Sequence, residues 1–94
     1  MDESCLLLRQ IPHSIEAEQS VLGAMLIDAR CIPDVVEALT GEDFYLKANR
    51  EIYETIYTMF NFSATIDPVT VLDQMKLTGV YDENTSRSYL LQLM

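Results

Sequence analysis

The sequence predicts an all-α fold, a compact bundle of about five short helices. Apolar residues recur at spacings of three and four along most of the chain, and no alternation typical of a strand extends beyond a few residues. Capping residues divide these stretches, with Ser14, Pro33 and Asp67 at helix starts and Gly41 and Gly79 after helix ends. A chain of 94 residues has room for one hydrophobic core of this kind.

The first predicted helix begins after the N-cap Ser14, which follows the extended pair Ile11-Pro12, and ends near Asp28. We expect it to be amphipathic, with an apolar side formed by Val21, Leu22, Met25 and Leu26. Gly23 costs about 1 kcal/mol of intrinsic helix stability, so its presence indicates that another helix approaches closely there.

The second predicted helix is short. Pro33 suits its first turn, Val36 and Leu39 lie on its apolar side, and Thr40-Gly41 ends it. The following polar, turn-prone stretch is predicted to be a packed connector that places Phe44 back under the helices.

The third helix, predicted from Lys47 to Phe60, is the longest. Tyr53 and Tyr57 lie beside its apolar stripe, where we expect them to be core or interface residues. Arg50 and Glu54 are four residues apart and are predicted to face solvent.

The fourth helix is predicted to start at Pro68 and to finish near Thr78, with Gly79 as a left-handed C-terminal cap. Its predicted apolar stripe consists of Val69, Leu72 and Met75. A loop is predicted over 80–88, and a fifth helix then begins at Tyr89. Because that helix stops among large apolar residues, we expect the chain to be a piece of a longer protein.

The composition excludes several classes of protein. Fifteen acidic against six basic residues give a net charge of −9, which repels phosphate and argues against direct nucleic-acid binding. No apolar run is long enough for a membrane span, and Asp2 and Glu3 stand where a secretory signal needs positive charge. Cys5 and Cys31 do not form a secreted-type disulfide framework, so we expect a cytoplasmic protein.

Catalytic and metal-binding patterns are not found. The three glycines do not form a phosphate-binding loop, and His13 with Cys5 and Cys31 is too small a set for a zinc site. A small acidic hydrolase would need a convergent acid, base and nucleophile, which the spacing does not supply. The residues themselves therefore favour a protein-interaction module, with no catalytic residue, metal or cofactor of its own.

Three blocks closely resemble the start of DnaB-type replicative helicases. They are IPHSIEAEQSVLGAML at 11–26, EDFY at 42–45 and IDPVTV at 66–71, in the same order and spacing as in that family. Tyr89-Leu90 and Leu93 are similar to the start of the family's next helix. Two departures are Asn49, where the family often has histidine, and Thr85-Ser86, where it commonly has two glycines.

The resemblance implies a flexible tail over 1–10 and an orthogonal helical bundle over 11–94, cut before a helical hairpin and an ATPase domain. It implies a non-catalytic collar and docking domain of an ATP-dependent 5′–3′ DNA helicase, which supports a hexamer of helicase subunits and binds primase. A helicase loader is a further candidate partner, and ATP and Mg²⁺ belong to the missing C-terminal domain.

Partner contacts are predicted at matched positions that packing does not obviously use, namely Glu16, Glu18 and Tyr89. Two alternatives stay open: the helicase-binding domain at the C-terminus of a primase, which is similar in fold, and another helical interaction module such as a loader fragment or adaptor. The sequence SIEAEQ at 14–19 favours the helicase over the primase.

Overall fold

The computed structural model describes residues 14–94, and within them it contains helices and turns but no strand. The five α-helices are α1 (Ile15–Ile27), α2 (Ile32–Ala38), α3 (Lys47–Asn61), α4 (Pro68–Thr78) and α5 (Ser86–Leu93). Short 3₁₀ turns lie at Ala29–Cys31 and Gly41–Asp43. The all-α prediction is confirmed, whereas the predicted tail over 1–10, the extended Ile11-Pro12 pair and the residues Cys5 and His13 lie outside the described residues.

Helix α1 is the central element of the bundle and packs against both α3 and α5. Its start is as predicted, since the Ser14 hydroxyl accepts a 3.4 Å hydrogen bond from the backbone N–H of Ala17. The helix is less amphipathic than predicted because neighbouring elements cover most of its circumference. Its buried residues are Ala17, Glu18, Val21, Leu22, Gly23, Met25 and Leu26.

The expected close approach at Gly23 is confirmed. A methyl group at this position would collide with the backbone carbonyl of Leu93, in the last turn of α5. Glycine thus lets the backbones of α1 and α5 come together without an intervening side chain. This contact fixes where α5 crosses α1.

A charged turn joins α1 to α2. The carboxylate of Asp28 accepts hydrogen bonds from the backbone N–H of Arg30 at 3.0 Å and from its guanidinium at 2.9 and 3.0 Å. The side-chain hydrogen bond from Arg30 is the main reason that the pKa of Asp28 lies below its ordinary value, and the backbone hydrogen bond adds to it. The same pair raises the pKa of Arg30.

The connector between α2 and α3 is packed as predicted, with Phe44 fully buried. The Phe44 ring stacks on Tyr53 with 4.7 Å between centroids, and the Tyr53 hydroxyl donates a 2.6 Å hydrogen bond to the carbonyl oxygen of Leu39. Tyr53 is therefore a core residue, whereas Tyr57 is 42% exposed. Of the apolar residues predicted for α2, Leu39 is buried but Val36 is only partly covered.

Helix α4 begins and ends at the predicted residues. Asp67 and Thr70 form a reciprocal capping box at its start, and Gly79 closes it with a φ of 82°. The predicted stripe was wrong at Val69, which is 67% exposed, because the face turned toward the core carries Val71 and Met75.

Helix α5 begins at Ser86, earlier than the predicted Tyr89. The Ser86 hydroxyl accepts a 2.8 Å hydrogen bond from the backbone N–H of Asp82, and the Ser86 N–H donates a 2.9 Å bond to the Asp82 carbonyl. These two bonds close the preceding loop and let residues 86–88 form the first helical turn. Within residues 14–94, no helix is long and apolar enough to cross a membrane.

Candidate functional site

A buried carboxylate lies at the centre of the domain. Glu18 of α1 has no exposed surface, and its two oxygens accept three hydrogen bonds. The backbone N–H of Tyr45 donates at 2.8 Å and that of Leu46 at 3.3 Å, while the side-chain amide of Asn49 donates at 2.9 Å. The carboxylate is thus satisfied entirely by groups at the beginning of α3.

The position of this carboxylate explains why the fold accepts it. A buried charge is costly unless hydrogen bonds replace its water shell. Leu46, the N-cap of α3, makes no side-chain capping hydrogen bond, and the helix dipole favours negative charge at a helix N-terminus. Glu18 therefore supplies from α1 the negative acceptor that the sequence next to α3 lacks.

Asn49 extends the network to α5. It is fully buried, and its carbonyl oxygen accepts a short hydrogen bond from the hydroxyl of Tyr89. That hydroxyl also accepts a 3.3 Å hydrogen bond from the side-chain amide of Gln19. We call Glu18, Gln19, Asn49 and Tyr89 the polar network; it ties α1, α3 and α5 together. Among the described side chains, no buried nitrogen or oxygen lacks a hydrogen-bond partner.

The three predicted contact residues lie in different environments. The prediction was wrong for Glu18. It is internal, and both of its oxygens accept hydrogen bonds from groups at the start of α3. Tyr89 is partly buried, with its hydroxyl directed into the polar network, and Glu16 is exposed on α1. The network joins Glu18 to Tyr89 through Asn49 and does not include Glu16.

Sequence reasoning misses the roles of Asn49 and Gln19. The sequence marks Asn49 only as a departure from the family pattern, and helical spacing places Gln19 away from the apolar side of α1. A polar residue among the apolar positions of α3 is a sign that it needs a buried partner. That partner is 31 residues away in the chain and cannot be identified from helical spacing.

Glu16 lies on a surface that α1 and α5 build jointly. It borders a shallow depression together with Gln19, Ser20, Gln92 and Leu93, which we call the α1–α5 surface. Tyr89 lines a separate open cleft of about 500 Å³ between α3 and the loop before α5. Glu16 is therefore exposed at one depression, and Tyr89 lines another, one helical turn before Gln92 and Leu93 on the same face of α5.

No three His, Cys, Asp or Glu side chains between residues 14 and 94 lie close enough together to hold a metal ion. Side chains in this part of the chain instead form hydrogen bonds between helices, concentrated in the polar network.

Comparisons with known proteins agree on one family. The model of the DnaB-like helicase N-terminal domain matches residues 10–94. The replicative DNA helicase DnaB of Rhodothermus marinus is 37% identical over 82 residues, and that of Mycobacterium leprae is 36% identical over 86 residues. These matches cover 87% and 92% of this chain but only 9% and 14% of the two relatives.

A solved structure supports the same assignment. The crystal structure of the N-terminal domain of DnaB helicase from Mycobacterium tuberculosis matches with a TM-score of 0.81 and 35% sequence identity. The match covers 87% of this chain and 59% of that one. Sequence and fold thus favour the helicase over the alternative of a primase domain. The chain belongs to the family of DnaB-like helicase N-terminal domains.

Proposed function

We propose that this domain is a non-catalytic collar and docking element of a replicative DNA helicase, in which it supports hexamer assembly and binds primase. The observation that carries the proposal is the match of 87% of the chain to a DnaB N-terminal domain, with a TM-score of 0.81. In this proposal, the parent protein is an ATP-dependent 5′–3′ helicase, and ATP and Mg²⁺ are bound by its motor domain.

The polar network supports a scaffold role. Docking surfaces are most effective when they are held rigid before binding, because ordering them on binding reduces affinity. The hydrogen bonds from Asn49 to Glu18 and from Tyr89 to Asn49 hold α5 against α1 and α3. The α1–α5 surface, which includes Glu16, is thereby fixed in shape.

The charge of the domain supports a protein partner. A net charge of −9 repels nucleic acid and attracts a protein with a basic docking face. Glu16 presents an exposed carboxylate at the edge of the α1–α5 surface, where a basic side chain of primase can pair with it. We place primase docking on this surface, which Tyr89 supports through its hydrogen bonds with Gln19 and Asn49.

Primase docking is tested by titrating the ¹⁵N-labelled chain with the C-terminal domain of the primase from the same organism. We expect amide shifts confined to residues around Glu16 and Gln92 and weaker binding of the variant Glu16→Ala. Glu37→Ala is the matched control, because Glu37 is also exposed but lies on α2. No shifts at high primase concentration would place primase recognition elsewhere in the helicase and leave this domain a collar element.

Hexamer support is tested separately on the whole helicase. Native mass spectrometry is used to compare the intact protein with a variant that lacks residues 1–94. We expect the truncated protein to dissociate at a higher protein concentration than the intact one, since oligomer stability depends on all subunit contacts. Equal dissociation of the two proteins would remove hexamer assembly from the function of this domain.

A further inference from the structure

An apolar groove runs between α4 and α5, on the opposite side of α5 from the α1–α5 surface. It has a volume of about 300 Å³, and the buried Leu90 and the partly buried Leu72 lie at its base. Val69 of α4 is 67% exposed and Leu91 of α5 is 58% exposed at its edges. We call this feature the α4–α5 groove.

Both helices contribute apolar residues to the groove. Val69 and Leu72 are three residues apart on α4, and Leu90 and Leu91 are neighbours on α5. A groove with apolar side chains from two helices is a surface into which an amphipathic helix can lay its apolar side. Val69 and Leu91 leave exposed apolar surface at the groove, and exposed apolar patches mark binding surfaces more often than single scattered residues do.

The charge of the groove differs from that of the rest of the domain. The sequence contains six basic and fifteen acidic residues, yet the groove is lined by two of the basic residues, Lys76 and Arg87, and by one acidic residue, Asp73. The ammonium group of Lys76 lies 4.9 Å from the centre of the Tyr81 ring, which holds it at the groove. The groove is thus a locally basic site on an acidic protein.

We propose that the α4–α5 groove binds an acidic amphipathic helix of a partner protein. The partner's apolar residues pack between Val69 and Leu91, and its carboxylates pair with Lys76 and Arg87. An acidic helix is repelled by the other faces of the domain, so charge directs it to this groove. Two copies of the groove facing each other would bring like charges together, which argues against a symmetric dimer here. This proposal is independent of primase docking on the α1–α5 surface.

The test compares two synthetic helical peptides that share leucines at positions i, i+3, i+4 and i+7. One peptide carries glutamates beside the leucines and the other carries lysines. Titrated into the ¹⁵N-labelled 94-residue chain, the glutamate peptide should shift the amides near Val69, Leu91 and Arg87 and bind roughly tenfold more tightly than the lysine peptide. The double variant Lys76→Glu with Arg87→Glu should reverse this preference.

The apolar contribution is tested with Leu91→Ser, which should weaken binding of the glutamate peptide severalfold. Its matched control is Leu77→Ser, because Leu77 is 82% exposed on α4 but does not line the groove. Amide dispersion of each variant shows whether it is folded.

Four outcomes would overturn the proposal. The first is equal binding of the two peptides, and the second is no binding of either. The third is binding that appears only after residues 1–10 are deleted, which would assign the groove to the chain's own N-terminal segment with its Asp2, Glu3 and leucines. The fourth is concentration-dependent shifts of the same residues without peptide, which would assign it to a second copy.

Discussion

The side-chain amide of Asn49 donates a 2.9 Å hydrogen bond to the carboxylate of Glu18, between two fully buried side chains on different helices. This bond joins α1 to α3 in the middle of the bundle. Because the same asparagine accepts a hydrogen bond from Tyr89, one amide connects three helices. The stability of the domain should therefore depend on polar residues as well as on its apolar core.

We predict that Glu18→Gln destabilises the domain by roughly 1–3 kcal/mol, because one oxygen that accepts a hydrogen bond becomes an amide N–H₂ facing a donor. The affected donor is the backbone N–H of Tyr45 or the pair from Leu46 and Asn49. Urea unfolding measures the change. Glu16→Gln is the matched control on the same helix, since Glu16 is exposed. Equal stability of the two variants would contradict a structural role for Glu18.

Tyr89→Phe should cost about 1–2 kcal/mol of unfolding free energy, since the buried carbonyl oxygen of Asn49 loses its donor. Tyr81→Phe, at the same cleft, should change stability much less, because no hydrogen bond of its hydroxyl occurs among the described residues.

The double variant of Tyr89→Phe and Glu18→Gln should be non-additive by at least about 0.5 kcal/mol, as both act through Asn49. Additive losses would show that the network is not a single unit.

Gly23→Ala should lower the melting temperature although alanine has the higher helix propensity. The new methyl group collides with the backbone carbonyl of Leu93, which cannot move aside as a flexible side chain can. We therefore expect a cost in the upper part of the range of about 1–3 kcal/mol for overpacking, above the gain of about 1 kcal/mol from helix propensity. Gly41→Ala is the control, because the nearest atom there is the Cγ of the exposed Glu54 side chain, at 3.1 Å, which can move aside. A stabilised Gly23→Ala variant would show that the backbones of α1 and α5 do not approach closely at Gly23.

The pKa of Asp28 is lowered chiefly by the side-chain hydrogen bond from Arg30, so Arg30→Gln should raise it toward its ordinary value. With a depressed pKa in the folded state, the contribution of this pair to stability is present above the unfolded pKa and is lost as the pH falls through the folded one. Titration of the Asp28 carboxyl carbon by ¹³C NMR gives its folded-state pKa in the unsubstituted protein and in Arg30→Gln. Arg87→Gln serves as the control and should leave the titration of Asp28 unchanged, whereas an equal effect would assign the shift to overall charge.

Local chemistry made several elements predictable. Ser14, Asp67 and Gly79 act within one helical turn, so the caps that they form could be placed from the sequence and are confirmed. The close approach at Gly23 was also predictable, because glycine weakens a helix and is favoured there where a neighbouring backbone needs the space. The start of α5 was missed because it depends on the hydrogen bonds between Asp82 and Ser86, in a loop whose composition is polar throughout.

The all-α class, the caps of α1 and α4, the acidic charge and the resemblance to DnaB-type helicases could all be inferred from the sequence. The assembled bundle was needed to show that Glu18 is internal, that Asn49 binds it and is in turn bound by Tyr89, and that Val69 stays exposed while Val71 is buried. Caps and helical periods are predictable because they are set by neighbours in the chain. Burial and hydrogen bonding between helices instead depend on which faces meet, and that is fixed only when the whole core is assembled.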